Sequence, residues 1–200
     1  DTAIRAAAFL RRSEMPLELK KQVATGAFPQ YGFRGNLPLD IRAEDGRVLA
    51  RWGDAGWGSL VVDGKHANHF SDELVAASAE MIRDRWQPNP SPGWITCVPS
   101  MNHPDLVPGF AARLAEEMGL PYLPVVTKTR QNEPQKQQQN RFRQCENLDG
   151  AFGIAGEVPD SAVLLIDDIV DSRWTLTVVA AILRQAGSGP VLPYALADTS

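Results

Sequence analysis

The sequence predicts an α/β protein: an open parallel sheet flanked by helices, with a small N-terminal helix and β-hairpin appendage. Two observations support this prediction. From residue 71 onward, short apolar runs rich in β-branched residues alternate with amphipathic helical patterns. Such alternation favours parallel strands joined by right-handed crossovers. Glycines at positions 119 and 187 end two of the helical patterns.

The first 70 residues are predicted to form the appendage, and residues 71–200 the main domain. A helical pattern opens the chain, and it belongs either to this domain or to the tail of an upstream one. Residues 26–46 are rich in Gly, Pro and aromatic residues and predict an irregular loop. Segments 47–52 and 59–62 flank a Gly-rich stretch, Gly53–Gly58, and predict a hairpin. Because no Lys-Ser/Thr pair follows it, that stretch is a turn rather than a phosphate cradle.

The main domain is predicted element by element. Ser71 is a suitable N-cap for the first of its helices. The predicted helices span 71–86, 106–118 and 175–186, and the predicted strands span 94–98, 123–126, 162–166 and 191–197.

Composition excludes several classes of protein. Hydrophobic residues make up 44% of the chain and charged residues 22%, as in ordinary globular proteins. The sequence has neither an apolar run long enough to span a membrane nor a signal peptide. Its two cysteines cannot form a disulfide framework. We therefore expect a cytoplasmic protein without membrane contact. A net charge of −4 argues against broad DNA binding by this chain alone. His66 and His69 lack a third metal ligand nearby.

Residues 128–150 interrupt the α/β alternation. This polar segment holds five basic and three acidic residues, a net charge of +2, and shows no clean periodicity. It is either a functional, mobile insertion or a disordered surface loop. As a functional insertion, it would attract a polyanionic small molecule.

The apolar run 162–166 leads directly into Asp167 and Asp168, then into a short polar turn and a helical pattern. Acids at a strand end can accept the hydroxyls of a ribose. The turn and the following helix N-terminus offer unpaired amides and a positive dipole end to an anion. Ser172 and Thr175 add hydroxyl donors. The alternative is a buried strand followed by an ordinary N-cap.

This stretch resembles the 5-phosphoribosyl-1-pyrophosphate (PRPP) signature of type I phosphoribosyltransferases. The resemblance implies that Asp167 and Asp168 bind the ribose hydroxyls and that Asp171 is the candidate catalytic base. It also implies a 5'-phosphate site at residues 171–175. The family usually has Gly where Arg173 stands and a small or variable residue where Trp174 stands. Arg173 would either hold the phosphate or crowd it.

The same resemblance implies further parts of the site. The pyrophosphate loop would be formed by Ser100, Met101, Asn102 and His103, although His103 could equally cap a helix or lie on the surface. Residues 128–150 would form a flexible hood similar to that of ComF-like members. Mg²⁺ would enter with PRPP, held mostly through ligand and water and not directly by the protein. The hood's basic residues are Lys128, Arg130, Lys136, Arg141 and Arg143.

Nearly the whole chain also resembles the C-terminal extension of bacterial RecQ-like ATP-dependent DNA helicases. The resemblance implies a fragment attached to an upstream helicase motor, with DNA contacted through the full-length protein. The absence of an initiator Met agrees with that expectation. The chain itself has no ATPase motif. Two classes of function remain. The chain would be an enzyme that binds PRPP or a nucleotide monophosphate and transfers a phosphoribosyl group. Alternatively, it would be a non-catalytic module that regulates the helicase or contacts DNA or a partner. The segments carrying the resemblance are Phe9–Arg11, Arg51–Gly58, Cys97–Ser100, Leu120–Pro121, Pro134–Gln135 and Asp171–Thr175.

Overall fold

A computed structural model describes residues 2–12, 15–131 and 140–200. Its helices are α1 (Thr2–Leu10), α2 (Gly58–Ala67), α3 (Asp72–Glu80, continued by a π-helical segment, Met81–Trp86), α4 (Leu106–Met118), α5 (Arg141–Glu146) and α6 (Trp174–Gln185). A 3₁₀ turn spans Leu39–Ile41. The strands are β1 (Met15–Leu17), β2 (Gly46–Arg51), β3 (Trp94–Cys97), β4 (Val126–Lys128), β5 (Phe152–Ile154), β6 (Val163–Val170) and β7 (Val191–Asp198).

The central sheet has five strands in the order β1-β2-β7-β6-β3. The strands β2, β7, β6 and β3 are parallel to their neighbours, and β1 pairs antiparallel with β2. The carboxyl ends of the four parallel strands therefore meet at one edge of the sheet. At that edge Asp198 pairs in register with both Arg51 and Val170. The predicted open, mostly parallel α/β sheet is confirmed.

Helices cover both faces of this sheet. Side chains alternate along β6, so that Val163 and Leu165 join one hydrophobic cluster while Leu164 and Ile166 join the other. The first cluster includes α6, and the second includes α2, α3 and α4. Because β6 is buried on both sides, its apolar run is continuous rather than alternating.

The hairpin predicted across segments 47–52 and 59–62 is wrong in its second arm. Residues 59–62 lie in α2, whose buried residues Gly58, Val61 and Gly64 recur every three positions, a helical spacing. Gly64 packs so closely on Phe70 that an added Cβ would come within 2.6 Å of its ring. Packing thus overrides the β propensity of this apolar segment. The antiparallel partner of β2 is β1 instead.

The first 70 residues contribute directly to the central sheet. Both β1 and β2 belong to it, and α2 packs on β7 and β2. In contrast, α1 has no buried residues. The appendage predicted for residues 1–70 therefore shares the central sheet with the main domain, and the division at residue 70 stays a prediction.

The strand predicted over residues 123–126 is displaced. Residues 121–123 lie beside Ile95 of β3, which donates to the Pro121 carbonyl and accepts from the Leu123 amide, both at 2.9 Å. The strand β4 begins at Val126 and pairs antiparallel with β5 in a separate two-stranded sheet.

The predicted helix beginning after Ser71 is present, and the Ser71 hydroxyl accepts from the Leu74 amide. Within the described ranges, no helix is long and apolar enough to cross a membrane.

Candidate functional site

A cavity of about 780 Å³ opens at the carboxyl edge of the sheet, between β6, β7 and the start of α6. Such edges are where open α/β sheets place their ligands. The side chains around it combine acids, cations, hydroxyls and one indole. Its lining residues are Trp52, Lys65, Asp167, Ile169, Val170, Asp171, Ser172, Arg173, Thr175, Leu176 and Thr199.

The strand β6 continues through both predicted ribose-binding acids. Asp167 accepts a hydrogen bond from the Asp168 amide, and Asp168 accepts one from the Ile169 amide, both at 2.8 Å. Asp168 is only 8% exposed. Its Oδ2 accepts a short hydrogen bond from the ammonium group of Lys65, which comes from the last turn of α2. The Lys65 ammonium therefore compensates the charge of the buried Asp168.

Asp167 lies in a setting that disfavours its charged form. Burial raises the pKa of Asp167 well above its usual value, and the neighbouring Asp168 carboxylate raises it further. The Asp168 amide and the Lys65 ammonium act in the opposite direction. A ligand hydroxyl or a cation at this position would interact with an acid that is readily protonated.

The turn after β6 has an unusual backbone conformation. Arg173, the N-cap of α6, has a φ of 67°, in the left-handed region that favours glycine. A glycine would adopt this conformation without strain. The Arg173 guanidinium donates to Asp198 Oδ2 at 3.0 Å, across the sheet edge. Behind it, the Thr177 hydroxyl donates to the Arg173 carbonyl at 2.8 Å.

Four of the five residues predicted around the 5'-phosphate line the cavity: Asp171, Ser172, Arg173 and Thr175. Trp174 does not, because its indole is buried in the core and donates to Gln144 Oε1 of α5 at 2.9 Å. The side chains of Lys20 and Arg141 lie over its ring.

Asp171, the candidate base, is half-buried at the rim of the cavity. Its Oδ1 accepts from the Thr199 hydroxyl at 3.2 Å. Thr199 also donates to the Val170 carbonyl through its amide and its hydroxyl. The end of the chain therefore holds the turn in place from the side of β7.

The predicted pyrophosphate loop contributes none of the residues lining this cavity. His103 Nδ1 lies 3.0 Å from Asn68 Oδ1, and the Gln131 amide donates to Asn102 Oδ1 at 3.0 Å. Ser100 accepts from the His103 amide, and Met101 is half exposed. The loop is thus tied to α2 and to the start of the insertion.

Cys97, at the end of β3, lies in surroundings that disfavour a nucleophilic thiolate. Burial raises its pKa to about 12, so the thiol stays protonated. Both cysteines are buried and unoxidised. Among the described residues, no group of His, Cys, Asp or Glu could hold a metal ion by itself.

The predicted hood falls partly outside the described residues, including Lys136. Of its two described parts, 128–131 and 140–150, the second is more embedded than a polar loop, since Cys145, Leu148 and Asp149 are buried. The Asp149 carboxylate accepts from the amides of Gln30 and Tyr31 at 3.1–3.2 Å.

The hood's cations have different surroundings. Lys128 lies near Asp167: burial lowers the pKa of Lys128, and the Asp167 carboxylate opposes that change. Arg130 donates to the carbonyls of Asn147 and Asp149, and Arg141 to that of Gln22. Arg143 is exposed. Among the described basic residues of the hood, Lys128 is the one with an electrostatic interaction with Asp167.

Outside the contiguous stretch from Asp167 to Leu176, the sequence analysis missed three residues of the cavity: Trp52, Lys65 and Thr199. Trp52 ends the first arm of the predicted hairpin, and Lys65 lies three residues beyond its second arm, where no local motif marks it. Thr199 follows the last strand. A signal for Trp52 was available in principle, since it follows a strand whose carboxyl end lies at this edge.

No protein-family model and no curated protein sequence matches the chain. Among solved structures, the chain is similar to an adenine phosphoribosyltransferase from Leishmania donovani. The TM-score is 0.41 and the identity 15%, and the match covers 99% of this chain and 81% of that chain.

Proposed function

We propose that the chain binds the ribose 5-phosphate unit of PRPP or of a nucleotide monophosphate. The supporting observation is a single cavity lined both by an acid of the Asp167-Asp168 pair and by the turn that precedes α6. In this arrangement Asp167 and Asp168 accept the ribose hydroxyls. The 5'-phosphate lies against residues 171–175.

The turn has the properties that a phosphate needs. The first amides of α6 have no intrahelical acceptor, and the positive end of the helix dipole faces the turn. Ser172 and Thr175 supply hydroxyls at the cavity wall. The Arg173 guanidinium is bonded to Asp198. Because the Asp198 carboxylate offsets the charge of the guanidinium, the amides and hydroxyls make the direct contacts with the phosphate in this proposal.

Mg²⁺ fits this site as a companion of the ligand. Carboxylate oxygens such as those of Asp167 and Asp168 are the hard donors that Mg²⁺ prefers, directly or through water. Two acids do not form a complete protein site, so pyrophosphate and ribose oxygens would complete the coordination. The ion would offset the charge of the pyrophosphate.

Transfer of the phosphoribosyl group to a nitrogen nucleophile would use Asp171 as the base, since it lies at the rim of the same cavity. Such transfer requires donors that stabilise the departing pyrophosphate. The residues of the predicted pyrophosphate loop lie outside the cavity lining. That observation favours a second candidate, a non-catalytic module that binds the phosphoribosyl ligand or contacts DNA or a partner.

By sequence resemblance alone, we further propose that the chain belongs to a longer, cytoplasmic RecQ-like helicase. The upstream motor would then hydrolyse ATP and contact DNA. Pull-down of the chain with its encoded upstream segment would test whether the two associate.

Calorimetric titration with PRPP and MgCl₂ tests the binding proposal, with ribose 5-phosphate and nucleotide monophosphates as comparisons. Measuring pyrophosphate release against a panel of nucleobases then separates the two candidates. Steady release identifies a transferase, whereas binding without release identifies a regulatory module. Absence of any binding overturns both.

A further inference from the structure

We propose that Lys65 selects ligands with an anionic group on C1 of ribose, such as the pyrophosphate of PRPP, over ribose 5-phosphate itself. This inference rests on the proposed function, because it assigns a role to one more residue of the same cavity.

The position of Lys65 is set by α2. The helix packs on the sheet beside β2 and β7, and its last turn brings the Lys65 side chain to the cavity wall. The side chain is 26% exposed, and its ammonium donates to Asp168 Oδ2. Lys65 therefore contacts both Asp168 and the cavity.

The ammonium of Lys65 keeps donor capacity for a ligand. A lysine ammonium has three N–H donors. One of them is donated to Asp168 Oδ2. Among residues 2–12, 15–131 and 140–200, no other group accepts a hydrogen bond from the Lys65 ammonium. The remaining donors lie at the cavity wall, where a phosphate oxygen can accept them.

Ligand geometry directs the C1 group toward this lysine. With the 5'-phosphate against residues 171–175 and the C2 and C3 hydroxyls on the acids, the C1 substituent lies next to C2, beside the acid pair. Carboxylates there would repel a pyrophosphate. Lys65 offsets that repulsion, and its effect falls on the C1 group because the 5'-phosphate lies at the other end of the sugar.

The test is calorimetric titration of PRPP and of ribose 5-phosphate, with MgCl₂ present, into wild type and Lys65→Met. Lys65→Arg keeps the charge, and Lys21→Met removes an exposed lysine outside this cavity. We expect Lys65→Met to weaken PRPP binding by roughly tenfold or more, as for loss of a charge-assisted hydrogen bond. Ribose 5-phosphate binding should change little, Lys21→Met should resemble wild type, and Lys65→Arg should still prefer PRPP over ribose 5-phosphate.

Lys65→Met leaves Asp168 without its cation, which could impair folding. The double variant Lys65→Met/Asp168→Asn removes both charges, and Asp168→Asn alone keeps the lysine. The preference for PRPP over ribose 5-phosphate should fall in the double variant. It should persist in Asp168→Asn, even though Asp168→Asn lowers the affinity for both ligands.

If the variants that lack Lys65 lose affinity for both ligands equally, the lysine only supports Asp168, and the inference is overturned. An unchanged preference would overturn it too. If wild type binds both ligands equally well, the Lys65 assignment fails and the proposed function stands. If wild type binds neither, the proposed function itself fails.

Discussion

Arg173 and Asp198 join the turn before α6 to the end of β7 through a 3.0 Å hydrogen-bonded ion pair. Asp198 is 6% exposed and accepts two further bonds, from the amide and the hydroxyl of Ser200. Arg173 holds this position with a φ of 67°. One residue therefore combines backbone strain, which Gly would relieve, with a side-chain contact that Gly would lose.

This combination predicts different outcomes for two substitutions. Both Arg173→Gly and Arg173→Ala remove the ion pair, but only Gly relieves the left-handed backbone. We expect Arg173→Gly to be more stable than Arg173→Ala by about 1 kcal/mol. Urea unfolding of both variants measures the difference. Equal stabilities would mean that the turn relaxes to another conformation when the guanidinium is lost.

The phosphate affinity of Arg173→Gly distinguishes the two roles considered for Arg173. Since the guanidinium is bonded to Asp198, we expect the variant to keep most of its affinity for ribose 5-phosphate. Titrations at low and high salt provide the check. A loss that grows at low salt, where charges are less screened, would show instead that the guanidinium holds the phosphate directly.

Two substitutions address the proposed ribose and phosphate contacts. Asp168→Asn and Thr175→Ala should each weaken PRPP binding by roughly tenfold, because each removes a hydrogen bond to a polar or charged ligand group. Asp160→Asn and Thr25→Ala are matched controls, since both residues are exposed and outside the cavity. Unchanged titration curves for both site variants would place the ligand elsewhere.

The raised pKa of Asp167 predicts a pH-dependent stability. Between its ordinary pKa and its raised folded value, the folded state binds more protons than the unfolded state, so stability falls as pH rises. Asp167→Asn should remove this contribution. Relative to wild type, the variant should therefore gain stability in urea unfolding as the pH rises above the ordinary pKa of an aspartate. If the free energy of unfolding depends on pH in the same way for wild type and Asp167→Asn, the raised pKa of Asp167 is contradicted.

Trp174 connects the turn to α5, and this contact predicts a long-range effect. Trp174→Phe loses the hydrogen bond to Gln144 and some buried volume, at a cost of about 1–3 kcal/mol. Hydrogen exchange of residues 141–146 should become faster. Trp57→Phe is the control, because it loses a comparable indole bond, to the Arg11 carbonyl, at a half-exposed position. Unchanged exchange in α5 would show that the contact does not anchor that helix.

The insertion yields a further prediction. Ligand is expected to reduce hydrogen exchange within residues 128–150, as a hood that closes over the site would. Since Cys145, Leu148 and Asp149 are buried, residues 145–149 should already be protected without ligand. Ligand-induced protection should therefore concentrate before residue 145. Full protection of the whole segment without ligand would identify a structural element rather than a hood.

Local sequence determined the central elements. The apolar run that becomes β6, the helix from 106 to 118 and the helix after the acidic turn follow from periodicity and helix-ending glycines, which act within a few residues. The acidic pair, Ser172 and Thr175 were identifiable because they are contiguous in the chain. These features require no knowledge of distant contacts.

Tertiary structure alone decided the rest. Segment 59–62 has the composition of a strand, yet it is helical because Val61 and Gly64 pack on the sheet and on Phe70. That packing places Lys65 against Asp168, 103 residues away in the chain. Trp174 adjoins the turn in sequence but lies in the core, because α6 presents that face to the buried cluster containing Cys145 and Leu148. Contacts between distant segments leave no local pattern in the sequence. Only the folded chain therefore places Lys65 against Asp168 and keeps the Trp174 indole out of the cavity.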